Sequence, residues 1–259
     1  MHPTMTPDAR RILAAQAFRA VAYGFASVLL GVSLANEGWS PARVSALLTA
    51  VIIGTAIATV VVGTYGDRFG RRRTYAALFG GLAFVGATFA LTDSFWVLLP
   101  VALIGTLSTD VVESGPFTTL EQSMLPQGVQ PERRAHLFAV YNGIATVAGS
   151  FGALLAGGPA LLRDQLTWVP SDQRLFVVLV PAALAGLAIA LSLSPSVEGG
   201  GARRAIPLDR SRRAVTRLAG LFAIDAFGGG FIVQSFIAYW FSVKFDVSVE
   251  AIGALFFAI

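Results

Sequence analysis

The sequence contains no cysteine, which excludes disulfides, thiolate nucleophiles and cysteine-ligated metal centres. Charge is scarce as well. Only 13% of the 259 residues are Asp, Glu, Lys or Arg, against the roughly 25% that keeps a soluble surface wet, while 55% are hydrophobic. That balance excludes a water-soluble globule. Histidine occurs only at His2 and His136, which makes a histidine metal centre improbable and leaves an all-oxygen site for a divalent ion as the remaining metal chemistry. No nucleophile–base–orienter constellation of an enzyme is present; Thr109 beside Asp110 is too common a pairing to argue from.

The sequence does hold long apolar runs. A helix needs roughly 20 apolar residues to cross a bilayer. Seven runs qualify: Ile12 to Ala35, Val44 to Tyr65, Thr74 to Leu91, Phe95 to about Leu125, Leu137 to Leu162, Leu175 to Leu193, and Val215 to about Val243. An eighth opens at Glu250 and stops at Ile259, too short to cross. The first run is too long for a signal peptide, carries Arg19 and lacks a small-residue cleavage site, so it reads as a retained helix.

With the N-terminus inside, fourteen basic residues fall in cytoplasmic segments and four (Arg43, Arg163, Arg174 and Lys244) outside. The distribution over alternate loops argues against nucleic-acid binding, which gathers basic residues on one face with aromatics. The predicted location is a cell membrane, crossed many times, with a bacterial inner membrane as the expected setting.

An internal repeat is visible. Arg19 to Phe25 aligns with Asp225 to Phe231 at an offset of 206, and Ser40 to Leu47 aligns with Ser248 to Leu255 at 208. Span seven then copies span one in the same orientation, as a parallel repeat requires. Between the copies lies Ser194 to Arg213, with Pro195, Gly199, Gly200, Gly201 and a basic cluster, the composition of a linker. The domains read as 1–194, a six-helix bundle; 195–213, a cytoplasmic linker; and 214–259, the start of a second bundle.

The turn between spans two and three reads Gly63-Thr-Tyr-Gly-Asp67-Arg68-Phe-Gly70-Arg71-Arg72-Arg73. Gly66 and Gly70 permit a tight reversal, and Asp67 can face the positive start of a helix. This turn resembles the signature loop of the major facilitator superfamily, with Tyr65 where leucine is usual. The resemblance implies an all-α membrane protein: a complete six-helix N-terminal bundle plus helix seven and a stub of helix eight, out of a usual twelve. It implies a secondary transporter working by alternating access, with drug/proton antiporters as the nearest pattern. Gly63, Asp67, Arg68, Gly70 and Arg71 would form an inner latch whose acidic partner, at the inner end of span four, is matched by Glu121. The helix that Asp67 would face, the eleventh, is not in this chain.

Ionisable groups inside a bilayer are functional hypotheses by default, and four qualify: Arg19, Asp110, Glu113 and Asp225. Asp110 and Glu113 are three apart and share one side of a continuous span four, with Ser114, Phe117 and Glu121 extending the stripe. Two such close carboxylates do not both ionise readily in low dielectric. The pair has three readings: an ion-pair partner for Arg19, a proton site, or a direct ligand for a cationic substrate. Relatives that exchange protons carry an arginine in span four, and this sequence has none there. Asp225 takes Arg19's place in the repeat. Gly228 to Gly230 follow it and either unwind the helix or allow close packing; Gln234 shares a site with Asp225 only if they break it.

Ala145, Gly149, Ala153 and Gly157 in span five, and Ala50, Gly54 and Ala58 in span two, form small-residue stripes. In the family, helices two and five face the other half, so these are expected interface stripes.

The sequence therefore predicts a carrier of a small molecule or ion in a lipid bilayer, with proton-coupled export, no cofactor, and a proton gradient as energy source. The competing expectation is a truncated, transport-inactive remnant or a membrane-embedded partner of another chain. In either case the missing C-terminal half or another chain completes the fold.

Overall fold

The structure is a computed structural model that describes residues 5–36, 38–108, 115–127, 129–163, 173–198, 212–229 and 233–258. Among these residues there is helix and no strand. The helices are α1 (Pro7–Asn36), α2 (Pro41–Phe69), α3 (Arg71–Leu91), α4 (Phe95–Ala102), α5 (Pro116–Met124), α6 (Pro131–Arg163), α7 (Leu179–Ser192), α8 (Arg212–Gly229), α9 (Gln234–Phe245) and α10 (Val249–Ala258). Short 3-10 turns at Gln173–Val178 and Pro195–Glu198 flank α7. Proline opens α1, α2, α5 and α6, where its missing N–H costs nothing. Five helices are long and apolar enough to cross a bilayer: Pro7–Asn36, Pro41–Phe69, Arg71–Leu91, Pro131–Ala160 and Arg174–Ser192, the last counting the preceding 3-10 turn.

Spans four and seven are not single helices. Span four, expected to run unbroken, leaves the helix after Ala102: residues 103–108 and Gly115 are not helical, and α5 begins at Pro116. Pro100 sits two residues before the stop, and Gly105 (φ +77°) and Gly115 (φ +51°) adopt a left-handed backbone that a helix cannot contain. The carbonyls released by the break find side-chain donors. Thr55 Oγ1 of α2 donates to Leu107 O at 3.1 Å, and the Tyr23 hydroxyl of α1 donates to Thr106 O. Irregular backbone at membrane depth survives only where protein satisfies it in this way. The continuous helical stripe expected from Asp110 to Glu121 is therefore absent, and Asp110 and Glu113 themselves lie outside the described residues. Span seven is interrupted at Val233, whose extended backbone (φ −90°, ψ 147°) precedes the start of α9.

α1 is the centre of the molecule, with α6, α7 and α9 packed round it. Its buried face continues along most of its length, including Ile12, Tyr23, Val28 and Leu29. Glycines set the closest approaches. A Cβ on Gly24 would strike the carbonyl of Gly149, and one on Gly152 the carbonyl of Val21, so α1 and α6 meet backbone to backbone. Beyond Gly149, the span-five stripe turns to another partner: a Cβ on Gly157 would lie 2.7 Å from Glu250 Cα, and one on Gly253 2.6 Å from Ala153 O, which seats α10 on α6. The span-two stripe differs from expectation. Gly54 faces Leu103 O and Ala102 O, 2.7 and 2.8 Å from an added Cβ, because the early end of α4 brings its carbonyls onto α2 from within the same bundle.

Candidate functional site

Four helices converge on one buried ion pair. Arg19 on α1 and Glu121 on α5, 1% and 0% exposed, meet with Nη2 and Oε2 2.6 Å apart. Tyr75 on α3 donates its hydroxyl to Glu121 Oε1 at 2.6 Å, and Tyr141 on α6 donates to Oε2 at 2.6 Å. Gln16, one turn before Arg19, donates to the carbonyl of Tyr141 at 3.0 Å. The Arg19 guanidinium also lies 5.0 Å from the centre of the Phe117 ring and 5.5 Å from that of Tyr23. Phe117 in turn packs edge-on against Phe79, with ring centres 4.9 Å apart.

The local sequence explains the convergence. Arg19 and Tyr23, Tyr75 and Phe79, and Phe117 and Glu121 are each four residues apart, so each pair lies on one face of its helix. α5 can present Phe117 and Glu121 together because Pro116 starts a fresh helix after the break.

A buried ion pair gives little net stability, since desolvation offsets the attraction, but losing one partner leaves a stranded charge. Its chemistry is asymmetric. Arginine stays protonated, whereas a carboxylate can take a proton and thereby release its partner.

The sequence assigned Glu121 to the latch, and the structure gives it different partners: Arg19, Tyr75 and Tyr141 hold both oxygens inside the bundle. Its spacing from Pro126 suggested the inner end of a long helix, but the broken span turns it inward. The loop residues pair among themselves. Asp67 Oδ1 meets Arg71 Nε at 2.6 Å while the Asp67 side chain stays largely exposed, and Arg68 stacks on Tyr65 at 5.7 Å. Gly63 is exposed, with Thr119 Cγ2 3.8 Å from an added Cβ, and Gly70 (φ +90°) makes the turn into α3. Arg71 Nη1 also reaches Ser123 O at 3.3 Å, at the end of α5. The acid that meets the loop backbone is one the sequence reading missed: Glu198 accepts from the N–H groups of Arg71 and Arg72 at 2.7 and 3.3 Å. Its only signal was an acidic residue just past span six, in a stretch read as linker.

Asp225 is exposed on α8, in a helix whose side chains from Arg212 to Asp225 are all exposed. Gln234 opens α9 across the break, with its Oε1 buried and lacking a partner among the described residues. Arg19 therefore meets the acid of span four's second half, and the acid of span seven stands apart.

The sequence model of the Major Facilitator Superfamily matches residues 12–259. The chain belongs to that family. Membership places this major facilitator protein among multi-pass membrane proteins, in keeping with its five membrane-length apolar helices. Its fold is similar to the crystal structure of a bacterial homolog of the human lysosomal transporter Spinster, in an inward-facing and unoccupied conformation. The TM-score is 0.71 at 18% identity, over 97% of this chain and 59% of that one. It is also similar to the uncharacterized membrane protein YJR124C of Saccharomyces cerevisiae, 23% identical over 96% of this chain and 64% of the yeast protein. The chain thus spans about three-fifths of the length of these relatives.

Proposed function

We propose that this chain carries a small solute across a cell membrane by alternating access, as a secondary transporter that couples export to proton entry. The observation that carries the reading is the Arg19–Glu121 pair, an ionised arginine and a protonatable acid sealed together at the junction of α1, α3, α5 and α6. In this reading Glu121 takes up a proton, the pair opens, and Arg19 becomes available to another anionic group. Asp110, Glu113, Asp225 and Gln234 are the further proton or substrate candidates.

The packing between the halves supports a rocking mechanism. Bundle 1–194 touches the 214–259 segment where Gly31 of α1 meets Ser235 and Ala238 of α9, and where Gly157 of α6 meets α10. α8, at the other end of span seven, is exposed. With the N-terminus cytoplasmic, as proposed, both contacts lie toward the outer ends of α1 and α6, which suits a carrier whose halves meet on the outer side.

The test is reconstitution of the protein in liposomes holding a pH-sensitive dye, followed by challenge with a panel of anionic, cationic and neutral solutes. At least one solute should drive proton movement in the wild type. Glu121→Gln should abolish that movement, and undiminished flux in Glu121→Gln would refute the assignment. Asp110→Asn, Glu113→Gln and Asp225→Asn sort the remaining acids in the same assay.

A second reading has its own observation: Leu218, Leu221, Phe222 and Ile224 of α8 are all exposed. The chain would then be a membrane-embedded partner whose α8 another chain covers. Cross-linking from Leu221→Cys to a second polypeptide would favour it.

A further inference from the structure

α3 begins in an electrostatically awkward way. Its first three residues are Arg71, Arg72 and Arg73, positive charges at the positive end of a helix dipole, and its N-cap, Gly70, has no side chain to accept an N–H. The acceptor arrives from 127 residues away, as the Glu198 carboxylate on the Arg71 and Arg72 amides. The turn that carries Glu198, Pro195–Glu198, is fastened at its other end as well. Asp8 of α1 accepts from Ser194 N at 3.2 Å, from Ser196 Oγ at 3.0 Å and from the Ser194 hydroxyl, while Arg11 donates to Ser192 O at 3.0 Å. Val197 between them is buried.

We infer that Glu198 is a positioning residue of the Gly63–Arg71 loop: it caps α3 from outside and so holds Arg71 where its guanidinium bridges Asp67 and Ser123 O. The start of the segment joining the two halves is thereby part of the first bundle, and only residues after Glu198 remain to span the gap to α8. The grip on the end of α5 matters because Ser123 lies two residues beyond Glu121. As a role in a transport latch this rests on the function proposed above; as a cap it does not, and the experiment reads the cap alone.

Hydrogen exchange of the full chain in lipid nanodiscs tests it, comparing wild type with Glu198→Ala, Glu198→Gln and Glu198→Asp. In Glu198→Ala the amides of 71–74 should exchange about tenfold faster, the scale of one charge-assisted bond at a helix N-terminus. The amides of α2 near Leu47 and Val51 should be unchanged. Glu198→Asp should recover part of the protection, and Glu198→Gln, which keeps one acceptor oxygen, should fall between Asp and Ala. Protection of 71–74 unchanged in Glu198→Ala would overturn the inference, as would equal acceleration in α2. Should Glu198→Ala not fold, an unchanged 71–74 in Glu198→Gln would overturn it equally.

Discussion

Spans one and seven align residue for residue around Arg19 and Asp225, yet the structure gives the two positions opposite surroundings. Arg19 is 1% exposed and held by Glu121, whereas Asp225 is exposed on a helix with no buried side chain from Arg212 to Asp225. The contrast repeats within span seven, where α9 lies against Gly31 of α1 and α8 stands clear. An ionisable group in a membrane helix is therefore read from what packs on its face. Register in a repeat says only where a partner would be needed.

The largest break in that comparison comes from removing half of the buried pair. Arg19→Ala or Glu121→Ala should each destabilise the fold by about 3–5 kcal/mol, because the other charge is stranded, and the double change Arg19→Met with Glu121→Leu should cost less than either. Thermal unfolding in detergent measures this, and Asp225→Ala should leave the midpoint where it was. Next come the tyrosines: Tyr75→Phe and Tyr141→Phe should each cost about 1.5–3 kcal/mol, the range for a hydrogen bond to a charged group. The smallest effect has opposite signs in the two spans. An added Cβ at Gly31 meets α9 backbone, whereas at Gly220 of α8 nothing lies within 4 Å. Gly31→Ala should lower stability by about 1–3 kcal/mol through overpacking, and Gly220→Ala should raise it by up to about 1 kcal/mol through helix propensity.

Most of the helices could be read from hydropathy, since charge-free runs between polar turns leave few alternatives, and α1, α2, α3, α6 and α7 lie where those runs do. The interruption of span seven at Val233 falls a few residues past Gly228 to Gly230, the run that raised the expectation of a broken helix. The break in span four had its signals too, in Pro100, Gly105 and Gly115-Pro116, but a run long enough to cross a bilayer, from Phe95 to Leu125, masked them. The site was harder to see. Arg19 stood out as a charge in an apolar run, but its partner depends on which faces of α1, α3, α5 and α6 meet, and no spacing along one helix encodes that. Tyr75 and Tyr141 were invisible for the same reason, since a tyrosine in a membrane helix has no pattern of its own. Glu198 could not be assigned because its partners are backbone amides, which every residue carries alike.

The transport reading stands or falls on whether Glu121 controls the opening between the halves. The absence of cysteine makes Arg73→Cys and Arg213→Cys a clean pair for spin labels, one at the start of α3 and one on α8. Their distance distribution in nanodiscs should differ between the parent and Glu121→Gln, because the substitution removes the charge that holds Arg19. The same distribution in Glu121→Gln as in the parent would contradict the account.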